Sequence, residues 1–249
     1  MKNNITLITG GSRGIGRATA LLLAQKGHTI CINYRSQQAR AEEVVALIRQ
    51  RGGSAIAIAA DIADEEQVVA MFQQIDRQLG PLTGLVNNAG ILQQQASIEQ
   101  LDARRIATVF ATNVSGSFIC AREAVKRMAL RHGGQGGAIV NVSSAASRLG
   151  APHEYVDYAA SKGAVDTLTT GLALEVAAQG IRVNAVRPGL IYTEMHADGG
   201  EPGRVDRVKD NLPMKRGGQP EEVAQAIAWL LSDEASYVTG SFLDMAGGR

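Results

Sequence analysis

The sequence predicts one doubly wound α/β domain, and three observations carry that reading. Seven short apolar runs alternate with longer amphipathic stretches along most of the 249 residues. The runs are continuously apolar rather than alternating, as strands covered on both faces of a parallel sheet must be. The first run passes directly into a glycine-rich turn and then a helical pattern, the opening of a βαβ unit. With right-handed crossovers, such an order winds helices onto both faces of a seven-stranded, mostly parallel sheet.

The runs that read as strands cover residues 5–9, 29–33, 55–59, 84–87, 138–142, 181–186 and 242–245. Helical periodicity covers 15–26, 39–50, 65–79, 104–130 (one helix or two), 158–178 and 221–231. No internal repeat, low-complexity tract or proline-rich linker divides residues 1–249, so a single domain is expected. Residues 192–218 break the rhythm: they are polar, glycine-containing and irregular, and read as a flap or binding loop.

Composition narrows the function. Lys and Arg number 25 against 24 Asp and Glu, and a net charge of +1 excludes the broad basic footprint of a nucleic-acid binder. Five Tyr, four Phe and one Trp are too few for base-stacking platforms. Apolar runs such as residues 20–24 fall far short of the ~20 residues a membrane span needs. The chain opens without a signal-peptide pattern, and Cys31 and Cys120 form neither a disulfide framework nor a metal knuckle. A cytoplasmic, reducing setting without membrane or metal is expected.

The first run leads into Gly10-Gly11-Ser12-Arg13-Gly14-Ile15-Gly16. Glycines here let the backbone turn sharply and bring helix-terminal amides against a phosphate. The spacing Gly-x-x-x-Gly-x-Gly differs from the commoner dinucleotide fingerprint, and Arg17-Ala18 excludes a P-loop. A tight turn without a ligand is the alternative. The second run ends in Asn33-Tyr34-Arg35-Ser36, where an NAD site wants an acidic residue; the next carboxylate is Glu42. Arg35 and Arg13 could instead converge on a phosphate through bidentate hydrogen bonds, which favours NADP, or be ordinary solvated charges.

Tyr158 and Lys162 stand four residues apart, on adjacent turns of one helix face. A phenol titrates near ~10, and a neighbouring cation favours its ionised form, making it a usable general acid or base. A Tyr packed on the sheet with a solvated Lys shows the same spacing. The fifth run ends in Ser143-Ser144, at the strand end where open α/β sheets bind ligands. A hydroxyl there could hold a substrate oxygen, or simply serve a turn. Asn113, in an otherwise apolar helical stretch, either satisfies a helix break or binds ordered water.

Thr9-Gly10-x-x-x-Gly14-Ile15-Gly16, Asn87-Asn88-Ala89-Gly90, Ser144, Tyr158-x-x-x-Lys162 and Pro188-Gly189 occur in one order. This set resembles the short-chain dehydrogenase/reductase superfamily over nearly the whole chain. The resemblance implies a seven-stranded Rossmann domain and a catalytic tetrad of Asn113, Ser144, Tyr158 and Lys162. It further implies that Tyr158 exchanges the proton, Lys162 lowers its pKa and holds the ribose hydroxyls, and Asn113 keeps a water linked to Lys162. Gly10, Ser12, Arg13, Gly14, Ile15 and Gly16 would cradle the dinucleotide, with Arg35 on the NADP phosphate and Asp61-Ile62 beside the adenine. Asn88, Ala89 and Gly90 would lie along the cofactor, and Pro188, Gly189, Ile191 and Thr193 under the carboxamide. Homotetramers built on two long central helices are usual in the family.

Because the stretch before Tyr158 is a residue longer than in some members, Ser143 stays a second choice. Tyr155 is a rival phenol, excluded because Ala159, not a lysine, lies four residues on. The expected activity is NADP(H)-dependent interconversion of a small-molecule carbonyl and a secondary alcohol. Reduction of 3-oxoacyl groups on acyl carrier protein is the near alternative; Arg131 could meet that partner, but the helix ending at Gln179-Gly180 lacks a second base. Sugar and polyol dehydrogenases are equally similar, and a non-catalytic NADP-binding regulator is the alternative of another class. Residues 133–137 read as a flexible connection, Gln93-Gln94-Gln95 as a polar pocket wall or a solvated loop, and 201–210 as a solvated helix face. His28, His132, His153 and His196 show no ligand spacing, so no zinc site is assigned. Cys31 and Cys120 read as buried small apolar groups.

Overall fold

The structure, a computed structural model, describes residues 4–249. All seven expected runs are strands: β1 (Ile5–Ile8), β2 (Thr29–Tyr34), β3 (Ser54–Ala59), β4 (Gly84–Asn87), β5 (Gly137–Val142), β6 (Ile181–Pro188) and β7 (Phe242–Met245). They pair in the order β3-β2-β1-β4-β5-β6-β7, every pair parallel. The helices are α1 (Gly14–Gln25), α2 (Gln38–Gln50), α3 (Glu65–Gln78), α4 (Ala103–Phe110), α5 (Gly116–Met128), α6 (Ala146–Leu149), α7 (Val156–Val176), α8 (Met195–Asp198), α9 (Arg204–Val208) and α10 (Pro220–Leu231).

Alternate strand residues feed two cores. Leu7, Cys31, Ile139 and Val183 pack with Phe72 of α3, Met128 of α5 and Val176 of α7. Ile8, Ile32, Val140 and Val186 face the other way, onto Leu23 of α1, Val44 of α2 and Ile227 of α10. Each fully buried side chain of this kind contributes about 1.5–3 kcal/mol, so the two layers hold the sheet rigid beneath its carboxyl edge. The strand order reverses between β1 and β4, and the crevice outside their carboxyl ends is where such sheets take ligands.

Three expectations change. The pattern over 104–130 is neither one helix nor two in simple succession: α4 and α5 are joined by a π-type turn, Ala111–Ser115, that carries Asn113. The segment 192–218 is only partly irregular: between turns it carries α8, α9 and a turn at Lys209–Asn211, each too short to show a sequence period. Residues 133–137 are not a flexible connection. Gly136 N donates to Met128 O at 2.8 Å and Gly137 N to Gly180 O at 3.0 Å. A Cβ on Gly134 or Gly137 would come within 2.3 Å of the Met128 or Thr83 backbone oxygen, so these glycines permit a close chain crossing.

Candidate active site

The cleft at the β1–β4 junction is built by backbone approach. Arg13 caps α1 without a side-chain hydrogen bond, which leaves the amides of its first turn for an outside acceptor. Gly14 sits at φ +51°, and a Cβ on Gly16 would lie 2.5 Å from Gly10 O and 2.6 Å from Asn88 Nδ2. A dinucleotide's diphosphate fits such a cradle of amides at a helix N-terminus. Asn88 Nδ2 donates to Thr9 O (2.8 Å) and Gly10 O (3.1 Å), while Thr9 Oγ1 accepts from Asn88 N and Ala89 N, both at 3.0 Å. Gly10, Ser12, Arg13, Gly14, Ile15, Arg35, Asp61, Ile62, Asn88, Ala89, Gly90 and Thr193 all line this cleft. Gly16 lies beneath it. Asp61 is committed locally, its Oδ1 accepting from Ala63 N at 3.0 Å.

A second cavity of about 410 Å³ opens beside the first and shares Ile15, Asn88, Thr193 and Met195 with it. Ser144, Tyr158, Lys162, Pro188, Gly189 and Ile191 line it, so the two sets of expected residues meet at one place. The Ser144 hydroxyl and the Tyr158 phenol line the same cavity, and Ser144 Oγ accepts from Ala146 N at 3.1 Å. Ser143 also borders the cavity, but its buried Oγ donates to Lys162 O at 3.3 Å. Lys162 is buried, donates from Nζ to Val142 O at 2.7 Å, and lies 5.6 Å from the centre of the Tyr158 ring.

The electrostatics differ from expectation. Burial pushes the Tyr158 phenol up to about 12, with the Ser144 hydroxyl opposing it. Burial pushes the Lys162 ammonium down to about 8, against the attraction of Asp166 one turn on. Desolvation therefore dominates the phenol here, with the neighbouring ammonium still largely charged at pH 7. Asn113, fully buried, does not break its helix idly. Its Oδ1 accepts from Ile91 N at 2.8 Å, and its Nδ2 donates to Ile91 O at 2.9 Å and Ser161 Oγ at 3.0 Å. The π-type turn aims it inward, tying the strap after Gly90 to α7.

Comparison with known proteins agrees with this geometry. The family model described as enoyl-(acyl carrier protein) reductase matches residues 10–249. An Escherichia coli K12 protein described as the uncharacterised oxidoreductase YgfF is 72% identical over 98% of this chain and 99% of its own. The chain belongs to the short-chain dehydrogenase/reductase superfamily. A Staphylococcus aureus 3-oxoacyl-[acyl-carrier-protein] reductase, FabG, is 38% identical over 97% of this chain and 96% of its own. The crystal structure of a short-chain type dehydrogenase/reductase from Mycobacterium marinum superposes with a TM-score of 0.92 at 33% identity, covering 98% of this chain and 94% of that one. Short-chain dehydrogenase/reductases are oxidoreductases that use a nicotinamide cofactor, and the cradle described above fits one.

Several features of this short-chain dehydrogenase/reductase site escape sequence reasoning. Arg13, expected on a phosphate, is ion-paired with Asp198 of α8. Gln93-Gln94-Gln95 does not line the cavity; Leu92 does, while Gln95 Nε2 reaches Glu201 Oε2 at 2.7 Å. Residues 201–210 are not simply solvated. Arg204 stacks 5.1 Å from the Tyr155 ring centre and pairs with Glu154, both at the cavity wall. Tyr155, set aside as a phenol, donates to Gly199 O at 3.1 Å and pins the flap. His196, on the same wall, has its pKa lowered by burial. A short run of alternating charges around 201–207 was the one available signal for this lock, and it also fits a surface helix. Among the described residues no group of three or more His, Cys, Asp and Glu side chains is placed to hold a metal. Nor is any helix there long and apolar enough to cross a membrane.

Proposed function

We propose that the protein is an NADP(H)-dependent oxidoreductase interconverting a carbonyl and a secondary alcohol on a small molecule, with Tyr158 as general acid and base. The observation that carries this reading is the Ser144–Tyr158 hydroxyl pair, with Lys162 beside it, on a cavity continuous with the dinucleotide cleft. The nicotinamide supplies the hydride in reduction and accepts it in oxidation. Ser144 and Tyr158 donate hydrogen bonds to the substrate oxygen, and Tyr158 gives that oxygen its proton as negative charge develops there. A phenol pushed up to about 12 holds its proton at neutral pH, which suits the reducing direction. Lys162, still mostly charged at pH 7, favours the phenolate left behind and would hold the ribose hydroxyls of the bound cofactor. Asn113 holds Ile91 and α7 in place around Lys162 rather than offering a free amide.

Arg35, which makes no ion pair with any described residue, supports the preference for NADP, with Arg13 as its partner. Two buried free thiols, Cys31 and Cys120, support a cytoplasmic location. Phe118 of α5 and Leu174 of α7, 50% and 80% exposed, support a homotetramer built on those helices. Similarity to FabG favours one second reading, a 3-oxoacyl thioester as substrate, for which Arg131 stands exposed beside Gln179. A purely regulatory NADP binder has no need of the hydroxyl pair. Tyr158→Phe tests the assignment: NADPH oxidation against ketones, sugars and 3-oxoacyl thioesters should fall about 10²–10⁴-fold. Folding and NADPH binding should persist; undiminished turnover would end the proposal.

A further inference from the structure

We propose that Asp198 is a specificity-determining residue for the dinucleotide: it occupies Arg13 until an adenosine 2′-phosphate takes its place. The inference rests on reading Arg13 as a phosphate ligand, and it makes flap and phosphate rivals for one guanidinium.

The flap reaches the nucleotide cleft with two carboxylates. Asp198, at the end of α8, pairs with Arg13 on the glycine turn. Glu194, just before α8, pairs with Arg40 of α2 at 3.5 Å. Glu194 also lines the nucleotide cleft together with Arg13 and Arg35. Its carboxylate comes within 3.9 Å of where a Cβ on Gly14 would stand, at the mouth of the phosphate cradle. Two flap carboxylates thus engage Arg13 and Arg40, while Arg35, on the same cleft as Arg13, makes no ion pair with any described residue. A phosphate monoester is doubly charged and offers three oxygens to a guanidinium fork, so it displaces a single carboxylate. A dinucleotide with a bare ribose brings no such rival and leaves the pair intact.

The magnitude is modest. Arg13 and Asp198 are 38% and 47% exposed, so solvent screens their attraction. Releasing an exposed pair of this kind changes affinity by about 2–5-fold. Asp198 therefore moderates the preference for NADP while coupling it to the flap that walls the substrate cavity.

Fluorescence titration of NADPH and NADH into wild type, Asp198→Asn, Arg13→Gln and the double variant tests this. Asp198→Asn should tighten NADPH about 2–5-fold and leave NADH unchanged, and the gain should vanish in the Arg13→Gln background. Unchanged or weaker NADPH binding in Asp198→Asn, equal tightening of NADH, or a gain that survives Arg13→Gln would each overturn the competition. If Arg13→Gln alone leaves NADPH affinity untouched, the phosphate reading of Arg13 has failed and the inference goes with it.

Discussion

Gly16→Ala puts the cradle to its most direct test. The new methyl would lie 2.5 Å from Gly10 O, 2.6 Å from Asn88 Nδ2 and 2.9 Å from Gly11 Cα. Two of these atoms are backbone, in a turn whose φ values at Gly10 and Gly14 are already positive, so the contact cannot be relieved by a rotamer change. Overpacking of this kind costs about 1–3 kcal/mol. Pushing Asn88 aside also strains its bonds to Thr9 O and Gly10 O, each worth about 1 kcal/mol net. Replacing a helical glycine by alanine returns about 1 kcal/mol. The balance is a loss of about 2–3 kcal/mol, and a chain of this size loses roughly 2–4 °C of Tm per kcal/mol. A Tm lower by about 5–10 °C is expected, with NADPH affinity reduced at least tenfold because the α1 amides no longer meet the phosphate. Differential scanning and NADPH titration read both. A variant with wild-type Tm and affinity would refute the close approach and the cradle with it.

Two further outcomes follow from the charges. Arg35→Asp should shift preference toward NADH, because the aspartate accepts from ribose hydroxyls and repels a 2′-phosphate; unchanged selectivity in paired NADPH and NADH titrations counts against the phosphate site. Lys162 has a folded pKa of about 8, below its ordinary value near 10.5, so the unfolded chain binds the extra proton between those limits and stability rises with pH across that window. Lys162→Met abolishes that rise, so its stability advantage at pH 7 should narrow by pH 10 in urea titrations; a constant gap would contradict a desolvated ammonium.

The fold was largely legible because continuous apolar runs have few other uses: all seven became strands, with ends displaced by two residues at most. The catalytic candidates were legible because Tyr158 and Lys162 lie on one helix, where spacing is geometry. What stayed hidden is what the fold brings together from afar. Asp198 and Arg13 are 185 positions apart, and no local pattern pairs them. Helices of four or five residues, such as α8 and α9, lack even two turns over which a period could register. The π-type turn at Asn113 is a single inserted residue's worth of helical phase, visible in sequence only as a polar residue out of place.

That out-of-place amide belongs to a larger device. Apolar residues are spread around α7 rather than gathered on one face, so hydrophobic packing alone leaves its rotation about its own axis weakly fixed. Yet the direction of Tyr158 and Lys162 depends on that rotation. Two buried amides supply the constraint. Asn113 Nδ2 holds Ser161 Oγ at 3.0 Å near the catalytic end of α7. Asn141, at the carboxyl end of β5, holds Thr169 Oγ1 at 2.9 Å two turns further on, and is itself held by Asn87 Nδ2 of β4 at 2.9 Å. Buried polar bonds tolerate little displacement, since a lost partner leaves a desolvated group costing about 1–3 kcal/mol. An apolar contact slides; these bonds do not. Asn87, Asn113 and Asn141 are therefore part of what aims the phenol and the ammonium, and the sheet's carboxyl edge positions the chemistry through amides as much as through its core.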